Sequence, residues 1–169
     1  MPCYNDFVIR IIKPTYQFKY VYDIESDFLI GLAKKLIVLD MDNTIIKKNE
    51  INIDQPILDW IKGLKEQGIV FILCTNNHSQ RHINVSQLIG CEIVQSALKP
   101  FSWRLMKHLK GYSKESILWI GDQLFTDVLG SNMRHIDSVL VKPLSIHEHG
   151  LTKMVRHLER LVLKGNKDE

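Results

Sequence analysis

Asp40-Met41-Asp42-Asn43-Thr44 sets two carboxylates two positions apart. In an extended chain, residues i and i+2 point to the same side, so one of these acids can attack an electrophile while the other handles the proton. An aspartate that attacks phosphorus needs its own negative charge and that of the phosphate offset, and a Mg²⁺ held by oxygen ligands does this. Asp122 and Asp127, in Gly121-Asp122-Gln123-Leu124-Phe125-Thr126-Asp127, are of the right type to complete such a site. Lys99 supplies a compact positive charge beside the phosphorylated carboxylate. The Thr75 hydroxyl, with backbone N–H groups of the Asp40 to Thr44 loop, can cradle the phosphoryl oxygens.

Distant residues act together only if the fold gathers them. Lys35 to Asp40 is an apolar run closed by an acid, the pattern of a strand covered by helices on both faces. Gly68 to Thr75, Glu92 to Ser96, Ser116 to Gly121 and Ser138 to Val141 read as further strands. Between them, Gln55 to Gln67 gathers Ile57, Leu58, Ile61 and Leu64 on one face with Pro56 near its start, and Ser79 to Ile89 and Pro100 to Leu109 read as helices likewise. The alternation predicts an α/β fold, a Rossmann-like three-layer α/β/α sandwich around a mainly parallel five-stranded sheet. Ligands of such sheets sit beyond the carboxyl ends of the strands. Asp40 closes the first strand, Thr75 the second, Lys99 follows the third and Asp122 the fourth, so topology alone brings them to one edge.

The chain has 169 residues, 45% hydrophobic and 24% charged, which suits one domain with a full core. With 22 Lys plus Arg against 19 Asp plus Glu, the formal charge of +3 is too small to indicate a nucleic-acid binder. Cys3, Cys74 and Cys91 are an odd set without a CxxC pair, which points to a reducing, cytosol-like compartment. The apolar run Phe7 to Ile12 is interrupted by Arg10 and followed by Lys13 and Pro14, too short for a secretory signal or a membrane span. Three segments are expected: an N-terminal extension over residues 1–34, a core over 35–150, and a basic amphipathic helix and tail over 151–169. In the last, Lys153, Arg156, Arg160 and Lys164 fall on one side and Leu151, Val155, Leu158 and Val162 on another, a pattern able to lie on anionic lipid. Lys13 to Tyr22 mixes bases and aromatics similarly.

The ordered motifs resemble the haloacid-dehalogenase-like (HAD) phosphatase superfamily: Asp40-Met41-Asp42-Asn43-Thr44, then Val70 to Thr75, then Lys99-Pro100, then Gly121 to Asp127. A receiver domain uses similar residue types in a different chain order. The resemblance implies that Asp40 is the nucleophile and forms an aspartyl-phosphate, and that Asp42 protonates the leaving oxygen and then activates water. It implies Mg²⁺ held by Asp40, the Asp42 main-chain carbonyl and Asp122, with Asp127 assisting through water or by orienting Lys99. Asp rather than Thr at the second position favours hydrolysis over a long-lived phosphoenzyme. The intervals Asp42 to Thr75 and Thr75 to Lys99 leave no room for a cap domain, so the substrate is large or a neighbouring subunit supplies the lid. Thr75-Asn76-Asn77 with Arg81, Lys99-Pro100 and Gly121 to Asn132 are similar to the YqeG-like branch, related to mitochondrial phosphatidylglycerophosphate phosphatases. Met133 between Asn132 and Arg134 departs from that branch.

That likeness implies hydrolysis of phosphatidylglycerophosphate to phosphatidylglycerol, a step towards cardiolipin. It implies a phospholipid head-group substrate at an anionic membrane surface and a place peripheral to the membrane, on its cytoplasmic or mitochondrial-matrix side. Association between copies is left open. Asn43, Thr44, Asn76, Asn77 and Arg81 are the expected substrate contacts. The alternatives are a capless phosphatase of a soluble sugar-acid phosphate or nucleotide, and a non-catalytic binding module on the same fold. Simpler roles compete for single residues: Asp127 as an acid at a helix start, and Asn76, Asn77 and Arg81 as caps or solvated groups. His78, His82 and the His147-Glu148-His149 group read as surface features, Cys74 as core, and Trp60, Trp103 and Trp119 as packing.

Overall fold

The computed structural model describes residues 11–145. The expected C-terminal helix and the His147 to His149 group lie outside the described residues. Six strands form one parallel sheet: β1 (Tyr16–Gln17), β2 (Leu36–Leu39), β3 (Val70–Cys74), β4 (Glu92–Val94), β5 (Ile117–Gly121) and β6 (Asp137–Leu140), in spatial order β1-β6-β5-β2-β3-β4. Central β2 pairs with β3 on one side and β5 on the other, with Val38 opposite both Ile72 and Trp119.

Alternation along each strand divides the interior in two. Ile37, Leu39, Phe71, Leu73, Leu118 and Ile120 face one core, and Leu36, Val38, Ile72, Cys74, Ile117 and Trp119 face the other. The first core is closed by α1 (Ser26–Gly31), α2 (Gln55–Glu66) and α3 (Gln80–Ile89), which contribute Leu29, then Ile57, Ile61 and Leu64, then Val85 and Ile89. Those spacings of three and four put each set on one helical face. Pro56 stands in the first turn of α2, where a missing N–H costs nothing. Ser79 caps α3 by accepting from the His82 amide, and Gly90 ends the helix at φ 68°.

The second core has a thinner cover. The helix expected over Pro100 to Leu109 is instead a 3₁₀ turn at Trp103–Lys107. Leu98 and Ser102 adopt φ of 58° and 39°, outside the helical region, and only Leu105 and Leu109 turn inward while Phe101, Trp103 and Met106 face solvent. No continuous apolar stripe exists there for a helix to bury.

The sixth strand, where five were expected, comes from the N-terminal segment. Thr15 and Ser138 exchange hydrogen bonds between backbone N–H and side-chain hydroxyl at 3.1 and 3.0 Å, and the Phe18 amide donates to the Leu140 carbonyl. Val21, Ile24 and Leu29 then bury themselves in the first core. A two-residue strand carries no readable period. The connections from Asp42 to Thr75 and from Thr75 to Lys99 hold only α2, α3 and strands β3 and β4, so no cap is inserted. Among the described residues, no helix is long and apolar enough to cross a membrane.

Candidate active site

The strand ends gather the site. Asp40 follows β2 directly, its amide donating to the Ile120 carbonyl of β5 at 2.9 Å. Its carboxylate is buried and accepts from the Lys99 ammonium on Oδ1 and from the Thr44 hydroxyl on Oδ2, the latter at 3.1 Å. Lys99 also donates to Asp127 Oδ1 at 2.7 Å, and both carboxylates it bridges are buried. Asp122 follows β5, and carboxylate oxygens of Asp40, Asp122 and Asp127 lie within 4.8 Å of one another.

Three buried carboxylates and one lysine leave a formal charge of −2, which burial penalises unless a cation is added. Hard oxygen donors at this spacing fit Mg²⁺. The same imbalance shifts the proton affinities of the cluster. Burial, followed by the charge of Asp127, pushes the Asp40 carboxyl up to about 6 against the pull of Lys99. Lys99 is raised well above its ordinary range, because Asp127 and Asp40 outweigh the burial that would lower it.

Asp42 is surrounded differently. Its carboxylate is half-buried and accepts from Asn77 Nδ2 at 2.6 Å and from the Arg81 guanidinium, and His82 Nε2 stands 3.2 Å from it. Burial works against its ionisation, but the hydrogen bonds from His82, Asn77 and Arg81 together win and hold its pKa well below the usual carboxylate range. Arg81 is fixed on its other side by the Glu50 carbonyl at 2.7 Å. His82 is buried, not a surface residue as its sequence suggested. It shares the helical stripe of Val85, Ser86 and Ile89, all buried, so the period of α3 carried the signal.

Thr75 follows β3 directly, with its hydroxyl oxygen accepting from the Asn77 amide at 3.1 Å. Asn76 grips the backbone of Lys99 on both sides, accepting from its amide at 2.6 Å and donating to its carbonyl at 3.4 Å. Asn43 takes a left-handed φ of 66°, and its side-chain oxygen accepts from the Ser145 hydroxyl at 2.6 Å. In the Asp40 to Thr44 loop, the Asn43 and Thr44 amides are used internally, by the Ile46 and Met41 carbonyls. The amides of Met41 and Asp42 donate to no protein group among the described residues, which makes them the pair free to face an anion.

Two features of the support were not visible in sequence. Gly121 lies so close to the Asp127 carboxyl that an added Cβ would collide with its Cγ. Arg134, the residue out of step with the resembled branch, donates to the carbonyls of Pro100 and Gly130 at 2.9 and 2.7 Å and to that of Phe101. Cys74 is core as expected, its thiol pushed up to about 12 by burial. Trp119 is fully buried and Trp60 packs edge-on to Phe71, whereas Trp103 is exposed and does not serve packing.

Comparison with known proteins agrees with this geometry. A sequence model of the family described as Mitochondrial PGP phosphatase matches residues 8–144. The chain is 30% identical over 151 residues to "Probable phosphatase YqeG" of Bacillus subtilis (strain 168), covering 88% of each sequence. A protein of Streptomyces avermitilis assigned to the HAD family hydrolases shares its fold at a TM-score of 0.52 with 11% identity, covering 64% of this chain and 71% of that one. The cobalt-bound deoxy-D-mannose-octulosonate 8-phosphate phosphatase of Haemophilus influenzae does so at 0.50 with 17% identity, covering 65% and 69%. With the motif order, the parallel sheet and the buried Asp40–Lys99–Asp127 cluster in agreement, the chain belongs to the PGP phosphatase family and is a capless phosphatase of the HAD superfamily.

Proposed function

We propose that this phosphatase hydrolyses the terminal phosphomonoester of phosphatidylglycerophosphate, through an aspartyl-phosphate on Asp40. The observation that carries the reading is an uncapped carboxylate cluster at the open edge of the sheet, in a chain whose family is described by that substrate. An open site admits a head group still embedded in its bilayer, whereas a closing cap would have to exclude the membrane. Asp40, the Asp42 main-chain carbonyl and Asp122, with Asp127 close by, would hold Mg²⁺, which when bound would supply positive charge to offset that of the phosphate and the attacking carboxylate.

Asp40 attacks phosphorus while Lys99 and Thr44 fix its oxygens. The Thr75 hydroxyl and the Met41 and Asp42 amides receive the phosphoryl oxygens. Asp42 gives a proton to the departing glycerol oxygen, then takes one from the water that cleaves the acyl-phosphate. In the resting geometry Asp42 is ionised by its partners, the state that suits the second step. Transfer of the Arg81 guanidinium from Asp42 to an incoming substrate phosphate raises the affinity of Asp42 for a proton, which prepares the first step. On this reading the enzyme works peripherally, on the cytoplasmic or mitochondrial-matrix face of a membrane, in phospholipid synthesis leading to cardiolipin.

The test is phosphate release from phosphatidylglycerophosphate in mixed micelles, with Mg²⁺ or EDTA, beside a panel of soluble phosphomonoesters. Selective, Mg²⁺-dependent release from the lipid is expected. Release confined to soluble esters would overturn the substrate, and release from none would overturn the catalytic reading.

A further inference from the structure

Four of the ten large apolar side chains exposed among the described residues fall within nine positions: Leu98 (62%), Phe101 (54%), Trp103 (65%) and Met106 (48%). Leu98 precedes and the others follow Lys99, whose ammonium holds the Asp40 carboxylate, so the apolar side chains begin at the site and run on from it, Trp103 beside β4 and Met106 towards Ile117 and Ile136. The ridge is held firmly. Asn76 grips Lys99, the Phe101 amide donates to the Leu98 carbonyl at 2.9 Å, and Arg134 holds the carbonyls of Pro100 and Phe101. Trp103 and Phe101 sit with ring centroids 6.0 Å apart. Rigid exposed aromatics of this kind suit a membrane–water interface, where an amphipathic ring finds both apolar and polar surroundings.

Charge narrows the occupant. From residue 93 to residue 114 there is no acid, while Arg104, Lys107, Lys110 and Lys114 are basic and exposed and Lys99 is used inside the site. The bracketing Glu92 is paired with His108 at 2.5 Å. A second copy docking symmetrically on this face would set cations against cations. An anionic head-group layer instead complements the cations and accepts the apolar ridge between its lipids.

We propose that the Leu98 to Lys110 segment, which leads away from the active-site edge along the flank of the sheet, is the surface by which this protein docks on an anionic bilayer; the proposal rests on the lipid reading given above. It assigns to Trp103 and Phe101 the role of interfacial anchors and to Arg104 and Lys107 that of electrostatic contacts.

The test uses the full chain with vesicles of phosphatidylcholine, with and without phosphatidylglycerol. Trp103 is the exposed tryptophan, with Trp60 half-buried and Trp119 buried, so quenching of its fluorescence by lipids brominated in the acyl chains reports insertion. The wild type is expected to bind only the anionic vesicles and to be quenched. Phe101→Ser/Trp103→Ser and, separately, Arg104→Gln/Lys107→Gln should each weaken vesicle binding by about tenfold or more. Both should keep the melting temperature and the turnover of a soluble phosphomonoester. The arginine and lysine substitutions leave the apolar ridge intact and so guard against a folding artefact. Unchanged vesicle binding in both double variants would overturn the docking surface, whatever the substrate. Dimers lost in Trp103→Ser, with no vesicle binding by the wild type, would overturn it in favour of a second copy. Docking through this segment without phosphate release from the lipid in any presentation would uphold the surface and overturn the substrate.

Discussion

Asp40 has a position that serves reactivity at the expense of comfort. Its carboxyl binds a proton more tightly in the folded chain, near pH 6, than at its ordinary value near about 4. A raised carboxylate stabilises the fold fully below its ordinary value and loses that contribution as pH rises through 6. Asp40→Asn, which cannot ionise, is therefore expected to melt no lower than the wild type above pH 6 in EDTA, and turnover should fall by about a thousandfold or more. Melting curves and phosphate release over pH measure both. Undiminished turnover would remove Asp40 from the nucleophile role. Asp42 lies on the opposite side of its ordinary value, held ionised by Asn77, Arg81 and His82. Arg81→Gln should raise its pKa, seen as a move to higher pH of the midpoint at which the Asp42 carboxyl ¹³C resonance titrates. Much of this was legible as residue types and order, since Asp40, Thr75, Lys99 and Asp122 each follow a readable strand. The Arg81 and His82 contacts were not, because they join α3 to a loop some forty positions earlier.

At the scale of elements, close approach decides. Gly121 ends β5 against the Asp127 carboxyl, so Gly121→Ala must push Asp127 away from Lys99. A displacement of that order is expected to cost about a hundredfold in turnover and about 1–3 kcal/mol of stability, read by phosphate release and denaturant melts. Normal activity would show that the turn can yield. The N-terminal segment is secured by Lys34, buried after α1, which donates to the Glu115 and Ile117 carbonyls at 2.6 and 3.2 Å and to Asp137 at 2.6 Å. Lys34→Met strands those acceptors and should cost about 1–3 kcal/mol; a neutral result would mean that water replaces the amine. Helices α2 and α3 were readable because a 3.6-residue period marks a buried face. The segment after Lys99 has the residue content of a helix, but its apolar side chains point in two directions.

For the molecule as a whole, the sheet places a net negative cluster at an edge with no cap over it, so metal should be felt by the entire fold. At a hundredfold excess over its dissociation constant, Mg²⁺ is expected to stabilise the wild type by about 3 kcal/mol, and Asp122→Asn should abolish the increment. Calorimetry without substrate tests this, and an unchanged melting temperature in the wild type would argue against a cation at the cluster. The amino-acid sequence by itself determined the layered parallel architecture and which candidate groups, Asp40, Thr75, Lys99 and Asp122, stand at or just beyond the strand ends. Both follow from local rules: the period of apolar residues, strand-end position and motif order. Tertiary structure alone decided which partners tune Asp42, that the N-terminal segment adds a strand to the sheet edge, and that Trp103, four positions after Lys99, faces solvent. Those outcomes depend on contacts between residues far apart in the chain, and on which side of the sheet still has room when the helices have packed, neither of which a local pattern encodes.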